Sequence, residues 1–238
     1  MRVFVLTGAG ISAESGLKTF RDNDGLWENH RVEDVATPEA FARNPALVQR
    51  FYNLRRGALA DVAPNPAHVA LARLQQALTA CGGALTLVTQ NVDNLHERGG
   101  AADVIHMHGE LARVFCVACG FHWDAQCDLT PQSQCPACQT KGGPRPDIVW
   151  FGEMPYHMDK IEAALARADL FVSIGTSGAV YPAAGFVQAA RERGIQTIEL
   201  NMEPSHGSLY FDTAHYGPAG TVVPIWVADL MTAIKLDA

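Results

Sequence analysis

A chain of 238 residues with 48% hydrophobic content can bury one substantial core, and its length does not force a division into independent domains. Charged residues make up 18%, with no internal repeat and no long Pro, Ser or Gln tract, which excludes an extended disordered region. The formal net charge of -7 disfavours nucleic acid, because affinity for the phosphate backbone rests on Lys and Arg displacing counterions; a basic partner fits better.

The first predicted strand, Val3 to Thr7, meets glycines at once and lacks the basic start and longer apolar run of a signal peptide. No stretch approaches the ~20 apolar residues of a membrane helix. A cytoplasmic protein is therefore expected, and in that reducing compartment six cysteines point to metal before disulfides.

After this strand, Gly8-Ala9-Gly10-Ile11-Ser12-Ala13 satisfies the G-x-G-x-x-G/A dinucleotide pattern. Without side chains at Gly8 and Gly10 the backbone can approach a pyrophosphate, whose charge the N–H groups at the next helix's start receive. Alone the pattern is weak, since small-residue turns after strands are common. A dehydrogenase should also carry an acidic strand end ~20 residues past the glycines. That place holds Phe20-Arg21-Asp22-Asn23-Asp24-Gly25, a polar loop that resembles part of an active site and weakens a hydride-transfer reading.

Trp27 to Ala63 shows helical patterns without strands, a candidate insertion. Within it a helix is predicted from Pro45 to about Ala60, where Tyr52 and Arg55 share a side with Val48 and Leu59, and Leu47, Phe51, Leu54 and Ala58 form the more apolar row. The next helix, Pro66 to about Ala80, has Asn65 as N-cap, Pro66 at the first position and an apolar stripe of Val69, Leu71, Leu74 and Leu78. Short apolar runs at Leu85 to Thr89, Leu170 to Ile174 and Thr197 to Leu200 are predicted strands, and Tyr181 to Glu192 and Ile225 to Lys235 predicted helices. Strands alternating with helices indicate an α/β fold with a mostly parallel sheet covered on both faces.

Cys116-x2-Cys119, fifteen intervening residues and Cys135-x2-Cys138 match the spacing of a four-cysteine zinc ribbon. One C-x-x-C can be redox-active, but two matched pairs rarely are. Four thiolates leave no position for water, so the metal holds structure and does no chemistry. Cys81 and Cys127 read as buried or incidental thiols.

Gly8 to Ala13, Thr19-Phe-Arg-Asp22, Gln90-Asn91-Val92-Asp93, His106-Met-His108-Gly-Glu-Leu111, Arg145-Pro-Asp147, Phe151-Gly-Glu153, Gly175-Thr-Ser177 and Leu200-Asn201 follow one another in an order that resembles the sirtuins, NAD-dependent protein-lysine deacylases. The resemblance covers essentially the whole chain, and its specificity lies in many ordinary motifs in one order. It implies a Rossmann-like NAD-binding part (about 1–27, 64–111 and 149–238), a helical insertion (about 28–63) and a zinc-ribbon module (about 112–148), with NAD and an acyl-lysine peptide meeting between them.

By that resemblance His108 is the general base, an imidazole of ordinary pKa near ~6.5 suited to taking a ribose hydroxyl proton; His106, which the resemblance leaves without such a role, reads as a satisfied structural histidine. The acyl oxygen attacks the nicotinamide-bearing ribose carbon, nicotinamide leaves, and the activated hydroxyl captures the acyl group, with no hydride moved. Asn91 and Asp93 order the nicotinamide ribose and carboxamide, and Phe20 and Arg21 cover the reacting carbon. Gly8, Ala9, Gly10, Ser12, Ala13 and Gln90 belong to the NAD site, and Gly175, Thr176, Ser177, Asn201, Met202, Glu203 and Ala219 line its adenosine half. Val149, Phe151 and Gly152 resemble an edge on which the peptide adds as a strand, a mode that gives affinity with little sequence demand.

The Tyr52-x-x-Arg55 pair resembles the desuccinylase/deacetylase type, where a guanidinium meets the acyl carboxylate in a bidentate pair. Such a charge-assisted bond is worth ~1.5 to 3 kcal/mol, so succinyl and malonyl groups are expected substrates beside acetyl. Rival readings are an ADP-ribosyltransferase, a dehydrogenase, and a zinc-ribbon module that binds a partner without catalysis. Expected cofactors are NAD and one structural Zn2+, and expected partners are acylated lysines of proteins, with no nucleic acid, no membrane, and a monomer or weak oligomer.

Overall fold

The computed structural model describes residues 1–17, 26–27 and 30–236. In chain order it contains β1 (Arg2–Thr7), β2 (Leu26–Trp27), β3 (His30–Arg31), α1 (Val32–Val35), α2 (Pro38–Arg43), α3 (Pro45–Ala58), α4 (Pro66–Ala80), β4 (Ala84–Thr89), α5 (Leu95–Arg98), β5 (Ile105–His106), β6 (Gly109–Cys116), β7 (His122–Asp124) and β8 (Pro144–Ile148). Then follow α6 (Met158–Leu165), β9 (Leu170–Ile174), α7 (Phe186–Glu192), β10 (Gln196–Asn201), β11 (Thr213–Tyr216) and α8 (Ala219–Leu236).

The expected α/β sheet is present: six parallel strands in the order β11-β10-β9-β1-β4-β5. β1 is central because both its faces are apolar. Val3 and Val5 enter a core with Leu71 and Leu74 of α4 and Val223 and Trp226 of α8. Phe4 and Leu6 enter the opposite core with Ile161 of α6 and Phe186 of α7. A strand buried on both faces needs this continuous apolar run, where a half-exposed strand would alternate. The chain leaves β1 toward β4 on one side and returns to β9 on the other, so the strand order switches between β1 and β9. A crevice opens outside the carboxyl ends of the strands at such a point.

α4 matches its predicted bounds, and the cap is reciprocal: Asn65 Oδ1 accepts from Ala67 N at 3.0 Å, and Asn65 N donates to His68 Nδ1 at 3.2 Å. Two other helices differ from expectation. α7 starts at Phe186 after a 3-10 turn over Ala183–Gly185, because Pro182 lacks a donor and Gly185 is a poor helix former. α8 begins at Ala219, a turn and a half before the predicted start, and runs through Pro224. Its first turn is held from outside, where Gly220 N donates to Glu14 Oε2 at 2.6 Å.

A third core joins Val35, Val48, Phe51 and Tyr52 of the helical segment to Leu111, Ile148 and Trp150. Below it β7, β6 and β8 form a small antiparallel sheet. No helix among the described residues is long and apolar enough to cross a membrane.

Candidate active site

At the carboxyl ends of the strands, Gly8 after β1, Gln90 after β4, Gly175 after β9 and Asn201 at the end of β10 face a cleft of about 850 Å³. Ala9, Gly10, Ser12, Ala13, Asn91, Asp93, His108, Thr176, Ser177, Met202, Glu203 and Ala219 line the same cleft, as do Tyr52, Arg55, Val149, Phe151 and Gly152. Phe20 and Arg21, expected over the reacting carbon, lie outside the described residues.

The glycine turn differs from its expected form. The helix after it is a 3-10 helix, Ala9–Ser15, ended by Gly16 at φ 96°. A Cβ on Gly10 would lie 2.8 Å from Gly175 Cα, and one on Gly8 would lie 2.8 Å from Gly175 O. Gly10 N already donates to Gly175 O at 2.8 Å. The chain's own β1–β9 junction thus demands these glycines, before any phosphate does. Gly10→Ala is expected to cost about 1–3 kcal/mol by overpacking, seen as a lower urea midpoint at unchanged m-value. Around the same junction Gln90 Nε2 donates to Thr176 Oγ1 at 3.0 Å, and Asn201 Nδ2 donates to Thr176 O at 2.9 Å.

Deeper in the cleft a buried polar cluster centres on Ser12, whose Oγ accepts from Asn91 Nδ2 and donates to Asp93 Oδ2, both at 3.1 Å. Burial pushes the Asp93 carboxyl up, opposed by the N–H of Leu95 and the Ser12 hydroxyl. His68 Nε2 lies 3.5 Å from Ser12 Oγ. Because Asn65 N occupies Nδ1, the proton sits on Nε2 and points at the cluster. Burial drives His68 down to about 4, so the ring is neutral near pH 7. His96 stacks edge-on at 4.9 Å and meets Thr7 Oγ1 through Nε2 at 3.0 Å. Neither histidine stands out in the sequence; the signal available for His68 was its place three residues after the Asn65 cap.

His108 follows β5 and precedes Gly109, whose φ of 81° and closeness to Asp147 O leave no room for a side chain. His108 Nδ1 lies 3.1 Å from Gln90 O. A carbonyl accepts only, so the proton is on Nδ1 and the lone pair on Nε2. Burial lowers the His108 pKa below its ordinary value, against the Gln90 hydrogen bond. His106 is bound at both nitrogens, to Asn91 O at 3.2 Å and Glu97 Oε1 at 2.7 Å. Burial works against its charge, yet the Glu97 carboxylate raises its pKa. One histidine is tied up as structure and the other keeps a basic nitrogen.

On the far wall Tyr52 is fully buried, and Trp150 Nε1 donates to its hydroxyl at 2.9 Å. Burial raises the Tyr52 phenol above its ordinary value, so it stays neutral. Arg55 is half-buried, its guanidinium 5.7 Å from the Phe51 ring centre. The row expected to be more apolar splits: Phe51 is buried in the third core, while Leu54 is 70% exposed and, with Ala58, lines the cleft; Val48 and Tyr52 of the other row are buried. The core lies beneath Tyr52, and Leu54 is left for the cleft.

The expected pairing edge is also shorter than the sequence indicates. β8 stops at Ile148, and the next residues form a turn with Gly152 at φ 90°. Val149 N and Phe151 N are already used by His108 O (2.9 Å) and Ala36 O (3.0 Å). Arg145 holds the turn with two 2.8 Å bonds to Glu153, which also accepts from Trp150 N at 2.8 Å. The guanidinium lies 3.4 Å from the Trp150 ring centre.

The sulfurs of Cys116, Cys119, Cys135 and Cys138 all lie within 4.8 Å of one another. Sulfurs about 2.3 Å from a tetrahedral zinc are about 3.8 Å apart; Cys116 to Cys138 is 3.8 Å and Cys119 to Cys135 3.7 Å. Two equivalent turns build the group, Gly120 N donating to Cys116 O (2.8 Å) and Gln139 N to Cys135 O (2.9 Å), with φ of 72° and 62° at the donors. This donor set fits a structural zinc. Cys81 and Cys127 stand apart from it and are exposed, which leaves the incidental of the two expected placements.

The model of the Sir2 family matches residues 8–182. An NAD-dependent protein deacylase of Caulobacter vibrioides is 58% identical over 234 residues, 98% of each chain. One of Escherichia coli is 58% identical over 236 residues, 98% of this chain and 84% of the relative. A solved Sir2 homolog–NAD complex superposes with a TM-score of 0.87 at 38% identity, covering 98% of this chain and 90% of that one. A Sir2 protein bound to acetylated peptide gives 0.79 at 26% identity, over 97% and 92%. Identity sustained over nearly the whole length, together with the family model's match to residues 8–182, shows that this chain belongs to the Sir2 family.

Proposed function

We propose that the protein removes acyl groups from protein lysines with NAD as co-substrate, releasing nicotinamide and O-acyl-ADP-ribose. The observation that carries this reading is His108, bound at Nδ1 and basic at Nε2, in one cleft with the Ser12–Asn91–Asp93 cluster and the glycine junction. Family relatives named NAD-dependent protein deacylases support it, as do structural relatives holding NAD and an acetylated peptide. NAD supplies a ribose carbon with a departing nicotinamide and the hydroxyl that receives the acyl group. His108 takes the proton of that hydroxyl. Asn91 and Asp93 orient the nicotinamide end, and the junction of Gly8, Gly10 and Gly175 carries the phosphates. Cys116, Cys119, Cys135 and Cys138 hold the zinc, which fixes the small sheet.

Incubation with NAD and one acetyl-lysine peptide should yield free nicotinamide, O-acetyl-ADP-ribose and deacetylated peptide in equal amounts. ADP-ribosylated peptide in their place would overturn the reading.

Arg55, with Tyr52 beside it, reads the acyl group: a succinyl or malonyl carboxylate gains a charge-assisted pair with the guanidinium. Arg55→Met is expected to lower kcat/KM for a succinyl peptide about 10- to 100-fold relative to the acetyl form, the worth of such a bond. An unchanged ratio removes the role.

A further inference from the structure

We infer that Asn53 is a positioning residue for acyl selection, holding α3 against the cysteine module so that Arg55 is presented to the cleft. The inference rests on the reading of Arg55 as the acyl-carboxylate partner.

α3 has two working sides. Tyr52 and Arg55 line the cleft, while Gln49, Asn53 and Arg56, spaced by four and three residues, share the side turned to the cysteine module. Asn53 makes a two-bond contact there. Its Nδ2 donates to Leu129 O at 2.8 Å and its Oδ1 accepts from Leu129 N at 3.0 Å. One side-chain amide thus pairs with both backbone groups of a single residue, as a neighbouring strand would. Leu129 is 5% exposed and lies in the loop between the two cysteine pairs.

The contact is reinforced on either side. Arg56 donates to Asn53 Oδ1 at 2.5 Å, and Gln49 Nε2 donates to Pro144 O at 3.1 Å at the start of β8. Arg98 secures the segment that follows α3 through Leu59 O at 2.9 Å. α3 is therefore tethered to both parts of the molecule, and the Asn53 tether lies within one turn of Arg55. A bidentate guanidinium–carboxylate pair needs its fork placed to well under an ångström. Releasing Asn53 frees the turn that carries it.

Wild type, Asn53→Ala, Arg55→Met and the double variant are compared on succinyl and acetyl forms of one peptide, the readout being the succinyl-to-acetyl ratio of kcat/KM. Both substrates meet the same sample, so a lower folded fraction cancels from this ratio. Asn53→Ala should lower it about three- to tenfold, part of the worth of the charge-assisted bond, raise the KM for succinyl peptide and leave the KM for NAD unchanged. In the Arg55→Met background it should have no further effect, the signature of two residues acting through one contact. Should Asn53→Ala not fold, Asn53→Asp decides: it keeps the volume but turns an acceptor toward Leu129 O, and the same fall is expected. An unchanged ratio in Asn53→Ala while Arg55→Met lowers it, or an equal fall in both backgrounds, overturns the inference and leaves the acyl reading standing. An unchanged ratio in Arg55→Met overturns both.

Discussion

His108→Ala is expected to lower kcat for deacylation by about 10²- to 10⁴-fold, the usual worth of a positioned general base. The Gln90 carbonyl fixes the tautomer, so no other nitrogen of the cluster replaces it: His106 is bound at both positions, and His68 carries its proton toward Ser12. In the proposed sequence nicotinamide leaves before the proton moves, so exchange of labelled nicotinamide into NAD should survive the substitution. Loss of exchange and deacylation together would mean that His108 supports binding or folding instead. The pH profile gives a second test. The neutral imidazole is the active form, and burial holds His108 below its ordinary pKa. Wild-type kcat/KM should therefore be level through neutrality and fall only below about pH 6.5. An acid limb centred above pH 7 would exclude this histidine as the base.

Cys135→Ser is expected to abolish the metal and unfold the cysteine module. Cys135 and Cys116 are buried, and a structural zinc contributes about 10–16 kcal/mol in isolated zinc-finger modules, as much as the total stability of an ordinary domain, about 5–15 kcal/mol. The damage should reach the cleft, because α3 leans on Leu129 and Pro144 and β8 leads into the Arg145-clamped turn. Metal analysis should fall from one zinc per chain to none, with a lower melting temperature and no deacylation. Cys81→Ser, at an exposed position outside the group, should keep one zinc and full activity. A Cys135→Ser protein that retains its zinc and melting point would refute the structural role.

Much of the fold was legible because it is locally encoded. The apolar run Val3 to Thr7, the Asn65-Pro66 start of α4 and the strand Leu170–Ile174 each carry their instruction within a few residues. The paired cysteines likewise announce a metal through spacing alone, since a C-x-x-C turn brings two sulfurs together wherever it is placed. Boundaries failed where an outside partner decides: Glu14 caps α8 from 206 residues away, and the turn after β8 is drawn from a strand by Arg145 and Glu153.

The candidate site divides along the same line. Composition and spacing supplied the residue types, namely a glycine turn, the Asn91 and Asp93 pair, two histidines near β6 and four cysteines. Packing in three dimensions settled which histidine keeps a free lone pair, since that depends on carbonyl and carboxylate partners supplied by Gln90, Asn91 and Glu97. It also decided that Gly8 and Gly10 are required by the backbone at Gly175, that His68 stands behind Ser12, and that Asn53 ties α3 to Leu129. Each of these is a contact between residues far apart in the chain, and hydrogen bonds and close approaches follow distance in space, which spacing along a sequence does not record.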